Sequence, residues 1–278
     1  MVIATFLFYT ILEECLIMGE KKNIYYARTY RRIKIDIKKS IIFTCLMIIP
    51  AMILFIANID FITEAMTSLA YNVLQQVIPA KDMSIGTSSY SILGKVTYLE
   101  LPTKYPAFST ICWNLLLCLV VIFLLQIIKK AGRPVAVFVI FSMLIHVANC
   151  IFFILAPEEF PYSLSMYSDI YLKQQLGIWM AFILLSGLVV GFLGEGRYLR
   201  KVITFFGIMA YSAVFGVIRY ILFMYLLYEF SVFYMALLFF VIGPMFDFSY
   251  VVSIYAIFVN KTIKDYEYGS KKGAWEWS

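Results

Sequence analysis

Seven apolar runs, each near or above the length that crosses a hydrocarbon layer, divide this chain: residues 1–19, 40–58, 110–128, 134–156, 175–194, 202–228 and 231–259. A membrane-spanning helix needs about 20 apolar residues, because lipid offers nothing to satisfy a non-helical backbone. The last two runs exceed that length and are expected to tilt, kink or protrude. Hydrophobic residues make up 63% of the 278 and charged residues 14%. A soluble domain carries about 25% charged residues. The expected fold is therefore an all-α integral membrane bundle of about seven transmembrane helices. It forms one polytopic domain over 1–260, followed by a cytoplasmic tail, 261–278. The first run has no basic start and no small-residue cleavage site, so it reads as a retained span rather than a cleaved signal.

Basic residues set the expected orientation. Segment 20–39 carries eight lysines and arginines, 129–133 three, 195–201 three, and the tail four. The opposite face holds Lys81, Lys95, Lys104 and Lys173 against eight acidic residues. Basic loops stay cytoplasmic. That puts the N-terminus outside, the C-terminus inside, and 20–39 as a cytoplasmic basic loop. The net charge of +6 thus reads as a topology signal. Nucleic acid is excluded as a partner, because the charges lie on four separate segments. The partner they imply is the lipid bilayer and its anionic headgroups.

The longest polar interval, 59–109, falls on the outer face. Its first half, "FITEAMTSLAYNVLQQVIP", places Ile62, Met66, Leu69, Val73 and Val77 on one helical face. Thr63, Glu64, Thr67, Asn72, Gln75 and Gln76 fall on the other, and Pro79 ends the pattern. Such a helix would lie on the leaflet or cap the bundle. The second half, "TSSYSILGKVTYLEL", reads as a β-hairpin turning at Leu93-Gly94-Lys95. A small extracytoplasmic cap of one amphipathic helix and one hairpin is expected, delivering the chain through Pro102 and Pro106 to Cys112.

Ionisable groups inside spans are costly and mark sites by default. Arg219 and Asp247 sit in the last two spans, about 15 and 24 Å below the outer end at 1.5 Å per residue. They read either as an ion pair locking two helices or as a polar site between them. Gly243-Pro244 is expected to kink the last span and free backbone groups near Asp247. His146 and Asn149 share the fourth span, and Asn114 lies just past Cys112. A lone buried histidine serves packing or proton transfer. One histidine in the whole chain rules out a metal site built on several imidazoles, and five cysteines without a CxxC pair suggest neither a disulfide framework nor zinc. Glu13-Glu14 begins an EExxxR pattern, but Met18 stands at the arginine position. No phosphate loop or cofactor fingerprint is present, and no cofactor is expected.

The order of parts resembles the exosortase/archaeosortase family, over roughly residues 40–194. Those proteins are polytopic membrane cysteine transpeptidases that process the anchors of exported proteins, and related members accompany envelope glycosyltransferase systems. The resemblance implies Cys112 as nucleophile at the outer start of the third span, with Ala148-Asn149 opening the pattern that carries the family's arginine. Here Phe152 occupies the arginine position, and the histidine position is Asp169 or nothing. The cysteine lies in Ile111-Cys112-Trp113-Asn114 rather than a Cys-Ser-Gly stretch. Since a thiol needs a base or cation to become a thiolate, only His146 and Arg219 remain to complete a catalytic set. Three readings follow. One is a degenerate exosortase-like envelope protein beside a glycosyltransferase or exported protein. The second is an active transpeptidase using Cys112, and the third a transporter or transporter subunit with a polar site at Arg219 and Asp247. Isoleucine, lysine and tyrosine usage hints at an AT-rich bacterial genome.

Overall fold

The computed structural model describes residues 31–33, 37–91, 93–127, 133–192, 198–268 and 275–277. The expected span 1–19 and most of the 20–39 loop lie outside them. The chain divides into two units. In the smaller, strand β1 (Arg31–Ile33) pairs antiparallel with β4 (Trp275–Trp277). The larger, Ile35–Ser270, holds everything discussed below.

Among the described residues, six helices are long and apolar enough to cross a membrane. They are α1 (Ile37–Ala57), α3 (Phe108–Ile127), α4 (Arg133–Leu155), α5 (Leu164–Phe192), α6 (Tyr198–Glu229) and a composite last helix over Val232–Thr262. The chain is thus a multi-pass membrane protein. The cap intervenes between α1 and α3: helix α2 (Ile59–Leu74), then strands β2 (Ser84–Ser89) and β3 (Lys95–Glu100).

Lipid-facing and protein-facing helices differ plainly. Helix α3 buries only Ile111 and Cys118, seven residues apart, against α4. Helix α6 instead buries ten residues, among them Ser212, Arg219 and Tyr220. Helices α1 and α5 approach closely where α5 carries Gly187 and Gly191. A Cβ at Gly187 would overlap the Ile48 side chain, and one at Gly191 would overlap Thr44. Small residues four apart let helix backbones meet in lipid, where no hydrophobic force drives association. At the end of α5, Lys201 from α6 donates to the Gly191 carbonyl at 3.0 Å, placing a cation on the negative pole of that helix.

Helix α5 begins at Leu164 rather than near 175, because residues that look loop-like in sequence meet polar partners. Ser168 bonds the Tyr220 hydroxyl at 2.6 Å, and Asp169 accepts from Ser88 of the hairpin. The last helix is interrupted. A 3-10 turn (Val232–Tyr234) and one α-turn (Met235–Leu237) lead into a π-helical turn, Leu238–Ile242. Helix α7 (Gly243–Tyr268) then completes the span. Pro244 has no N–H to give the preceding turn, and the π turn ends against it.

The cap corrects one expectation. Leu69, Val73 and Val77 are exposed, whereas Thr63 and Thr67, assigned to the polar face, are fully buried. The reason is the hairpin edge. Thr67 Oγ1 donates to the Thr97 carbonyl at 2.7 Å, Thr63 Oγ1 accepts from Thr97 N at 3.3 Å, and Asp60 accepts from Lys95 N at 2.7 Å. An open strand edge must find partners when covered, and α2 supplies hydroxyls where a simple amphipathic pattern would supply hydrocarbon. The hairpin turn also sits earlier than expected, over Tyr90–Gly94, with Lys95 already paired to Ser89. Gly94 takes a φ of 139°, which side chains rarely adopt.

Several bonds staple the cap to the bundle. Leu99 N donates to Tyr220, Leu164 N to Thr103, and Tyr228 to Asp82, at 3.0, 3.0 and 3.2 Å. The largest core cluster lies here, running from Ile59 and Met66 through Val96 and Leu99 to Tyr171, Tyr220 and Phe233.

Candidate functional site

Arg219 is the organising charge. Arg219, on α6, is 4% exposed, and Asp247, on α7, is 6% exposed. Nη1 lies 2.9 Å from Asp247 Oδ2, an ion-pair distance outside the hydrogen-bonding direction, and donates to the Gly243 carbonyl at 2.8 Å. Nε donates to Tyr171 Oη at 2.8 Å, and Nη2 donates to Gln175 Oε1. Arginine suits this place because its rigid fork of five donors serves several acceptors at once. Gly243 is the first residue of α7, directly after the π turn.

The second carboxylate oxygen extends the network. Tyr250 donates to Asp247 Oδ1 at 3.0 Å. Its proton is thereby committed, so Ser212, 2.6 Å away, must be the donor to Tyr250. Trp179 Nε1 in turn donates to Ser212 at 2.9 Å. A directed chain therefore runs Trp179, Ser212, Tyr250, Asp247. Gly216 leaves room for it, since an added Cβ would stand 3.1 Å from both Gln175 and Trp179.

Beside this network opens a chamber of about 370 Å³, within the size range of ligand pockets. Phe152, Phe160, Tyr162 and Phe239 give it aromatic walls, Ala236 a small one, and Asn149 and Tyr167 also line it. Asn149 donates to the Phe233 carbonyl at 2.6 Å. Tyr167 is 4% exposed, and its hydroxyl has no partner among the described residues. A buried polar group left unmatched costs about 1–3 kcal/mol. The Tyr167 ring lies 6.2 Å from that of Tyr171, which joins the chamber to the arginine network.

The expected site residues fall into three places. Arg219 and Asp247 meet. His146, Asn114 and Tyr234 form a second group. His146 Nε2 and the Tyr234 hydroxyl each approach Asn114 Oδ1 at 3.4 Å, and the imidazole stacks on the Tyr234 ring at 5.6 Å. Cys112 stands apart. It is exposed on α3, next to Trp113, which is 70% exposed. The structure gives its thiol no hydrogen bond to His146, Arg219 or any other described residue. Phe152, at the family's arginine position, contributes to the chamber wall, and Asp169 pairs with Lys173 at 2.7 Å.

Tyr167, Tyr171, Gln175 and Trp179 were missed as site residues. Their spacing carried a signal: four aromatic or amide side chains, each four residues apart, precede and enter an apolar run. That period places them on one helical face. No family model matches the chain, and no curated protein or solved structure does either.

Proposed function

We propose that this is a cell-envelope membrane protein, exosortase-like in layout, that assists the assembly or export of a surface polymer or protein without cysteine chemistry. In this reading the aromatic chamber receives the apolar anchor of the exported product. The Tyr167 ring forms part of the chamber's wall, and the Arg219 network, joined to it through Tyr171, holds that wall in place. The observation that carries the reading is a cavity of about 370 Å³ walled by Phe152, Phe160, Tyr162, Tyr167 and Phe239, with the amide residue Asn149 in its lining. A site built for an apolar ligand uses few polar groups, each placed to fix orientation. Cys112 is exposed and its thiol makes no hydrogen bond to a base or cation among the described residues, which supports the non-catalytic form. The test is deletion of the gene and profiling of surface polysaccharide and surface protein. Loss of one product, restored by the wild-type chain, is expected. An unchanged surface would end the proposal.

A second reading, transport, is favoured by a specific observation: the buried Arg219 bonds the Gly243 carbonyl directly after the π turn that interrupts the last helix, and transporters place binding sites at discontinuous helices. Solute flux in proteoliposomes that survives both Arg219→Gln and Asp247→Asn would eliminate it.

A further inference from the structure

The hairpin of the cap has two edges, and only one of them is covered. Opposite residues in an antiparallel pair alternate. One pair exchanges its backbone bonds, and the next turns its N–H and C=O groups outward. Just beyond the strands, Tyr90 N donates to the Gly94 carbonyl at 2.9 Å. Counting back through the register, Ser88–Val96, Gly86–Tyr98 and Ser84–Glu100 are the bonded pairs, and Ser89–Lys95, Thr87–Thr97 and Ile85–Leu99 face outward. The β3 side obeys this phase: the backbone groups of Lys95, Thr97 and Leu99 bond Asp60, Thr63, Thr67 and Tyr220. On the other side, β2 has β3 as its only strand neighbour among the described residues. Ile85, Thr87 and Ser89 are all exposed, Ile85 at 50%. Among the described residues, nothing bonds their outward backbone groups. Exposed edges are usually blunted by lysine, proline or a bulge, yet Ser84–Ser89 carries no charge and no proline.

We propose that β2 is a docking edge for an extended segment of a different protein, which adds to the cap sheet as a third strand. The outward groups recur every second residue, about 6.8 Å apart, a spacing that an extended polypeptide backbone matches. Such an edge draws affinity from main-chain bonds and specificity from alternate side chains. Opposite Ile85 the incoming strand is expected to carry a β-branched or aromatic residue. A second copy of this chain does not suit the edge. The hairpin runs down the side of α5: Thr103 bonds Leu164, Leu101 bonds Ser165, Ser88 bonds Asp169, and the Tyr90 hydroxyl reaches Gly177. Thus β2 runs along the spans, as does the symmetry axis of two copies in one bilayer. That axis would bring the two strands together parallel, with outward residues directly opposite one another, whereas a parallel ladder staggers them. No residue of β2 lines the chamber, so the docking edge stands whatever the chamber carries.

The test selects phage-displayed random short peptides on the full chain in nanodiscs, then follows amide hydrogen exchange with each enriched synthetic peptide. New protection is expected at Ile85, Thr87 and Ser89, while Gly86 and Ser88, already bonded to β3, stay unchanged. Thr87→Pro removes one outward N–H and spares the ladder to β3. It is expected to weaken binding at least about tenfold, with exchange in β3 unaltered. Ile85→Lys puts a charge on the edge and is expected to weaken binding likewise. A selection that yields no peptide protecting β2 would overturn the proposal, as would wild-type affinity in either variant. So would a concentration-dependent dimer that Thr87→Pro dissolves, which would assign the edge to a second copy.

Discussion

Arg219 Nη1 and Asp247 Oδ2 stand 2.9 Å apart, joining α6 to α7 inside the bundle. Counted from the cap end, the two residues differ by about six positions, or about 9 Å of helix. Two features close that gap. The π turn before Gly243 inserts an extra residue into the last helix, so sequence distance overstates depth. The arginine then reaches the rest of the way. Removing one partner leaves a buried charge. Arg219→Leu or Asp247→Leu is expected to cost about 3–5 kcal/mol in unfolding experiments in detergent, and the double replacement less than the sum. Strict additivity would show that the two residues do not interact.

Contact between α1 and α5 depends on Gly191. Since a Cβ there would run into Thr44, Gly191→Val is expected to destabilise by about 1–3 kcal/mol. Gly207→Ala, which meets open space, serves as the control and should leave the thermal midpoint within error. Equal effects at the two glycines would refute the close-packing account.

The hairpin is held down by hydroxyls. Thr67→Val keeps the shape but leaves the half-buried Thr97 carbonyl without its 2.7 Å donor. A loss of about 1–3 kcal/mol is expected, confined to the cap. Hydrogen exchange should show the β3 amides opening faster while those of α6 keep their protection. Uniform acceleration would mean that cap and bundle open together.

Orientation is open to direct labelling. The basic segments imply that the cap is external. With Cys45 and Cys112 replaced by serine, an impermeant maleimide should label Ser89→Cys in intact cells and Asn260→Cys only after lysis. Both positions are exposed on the protein. The reverse pattern would invert the topology.

Much of this architecture was legible because lipid imposes a single requirement. Every span must be long, apolar and helical, so 40–58, 110–128 and 134–156 were readable to within a few residues of α1, α3 and α4. The cap was readable in kind but not in facing. Thr63 and Thr67 look solvated by pattern, and only the strand they cover explains their burial. The site was half legible. Arg219 and Asp247 announce themselves by charge. Tyr167, Tyr171 and Gln175 do not, because tyrosine and glutamine are unremarkable near a membrane surface until a buried guanidinium gathers them. The Cys112 position resembles a nucleophile's, yet reactivity depends on neighbours from other helices, and no spacing within α3 encodes those.

The account turns on the chamber rather than the thiol. The most direct test restores deletion cells side by side with Cys112→Ala and with Ala236→Trp, which fills the chamber, at matched levels in the membrane. Cys112→Ala is predicted to return the missing surface product to wild-type amounts, and Ala236→Trp to leave it absent. Loss of the product with Cys112→Ala, alongside full recovery with Ala236→Trp, would contradict the account and assign the function to the cysteine.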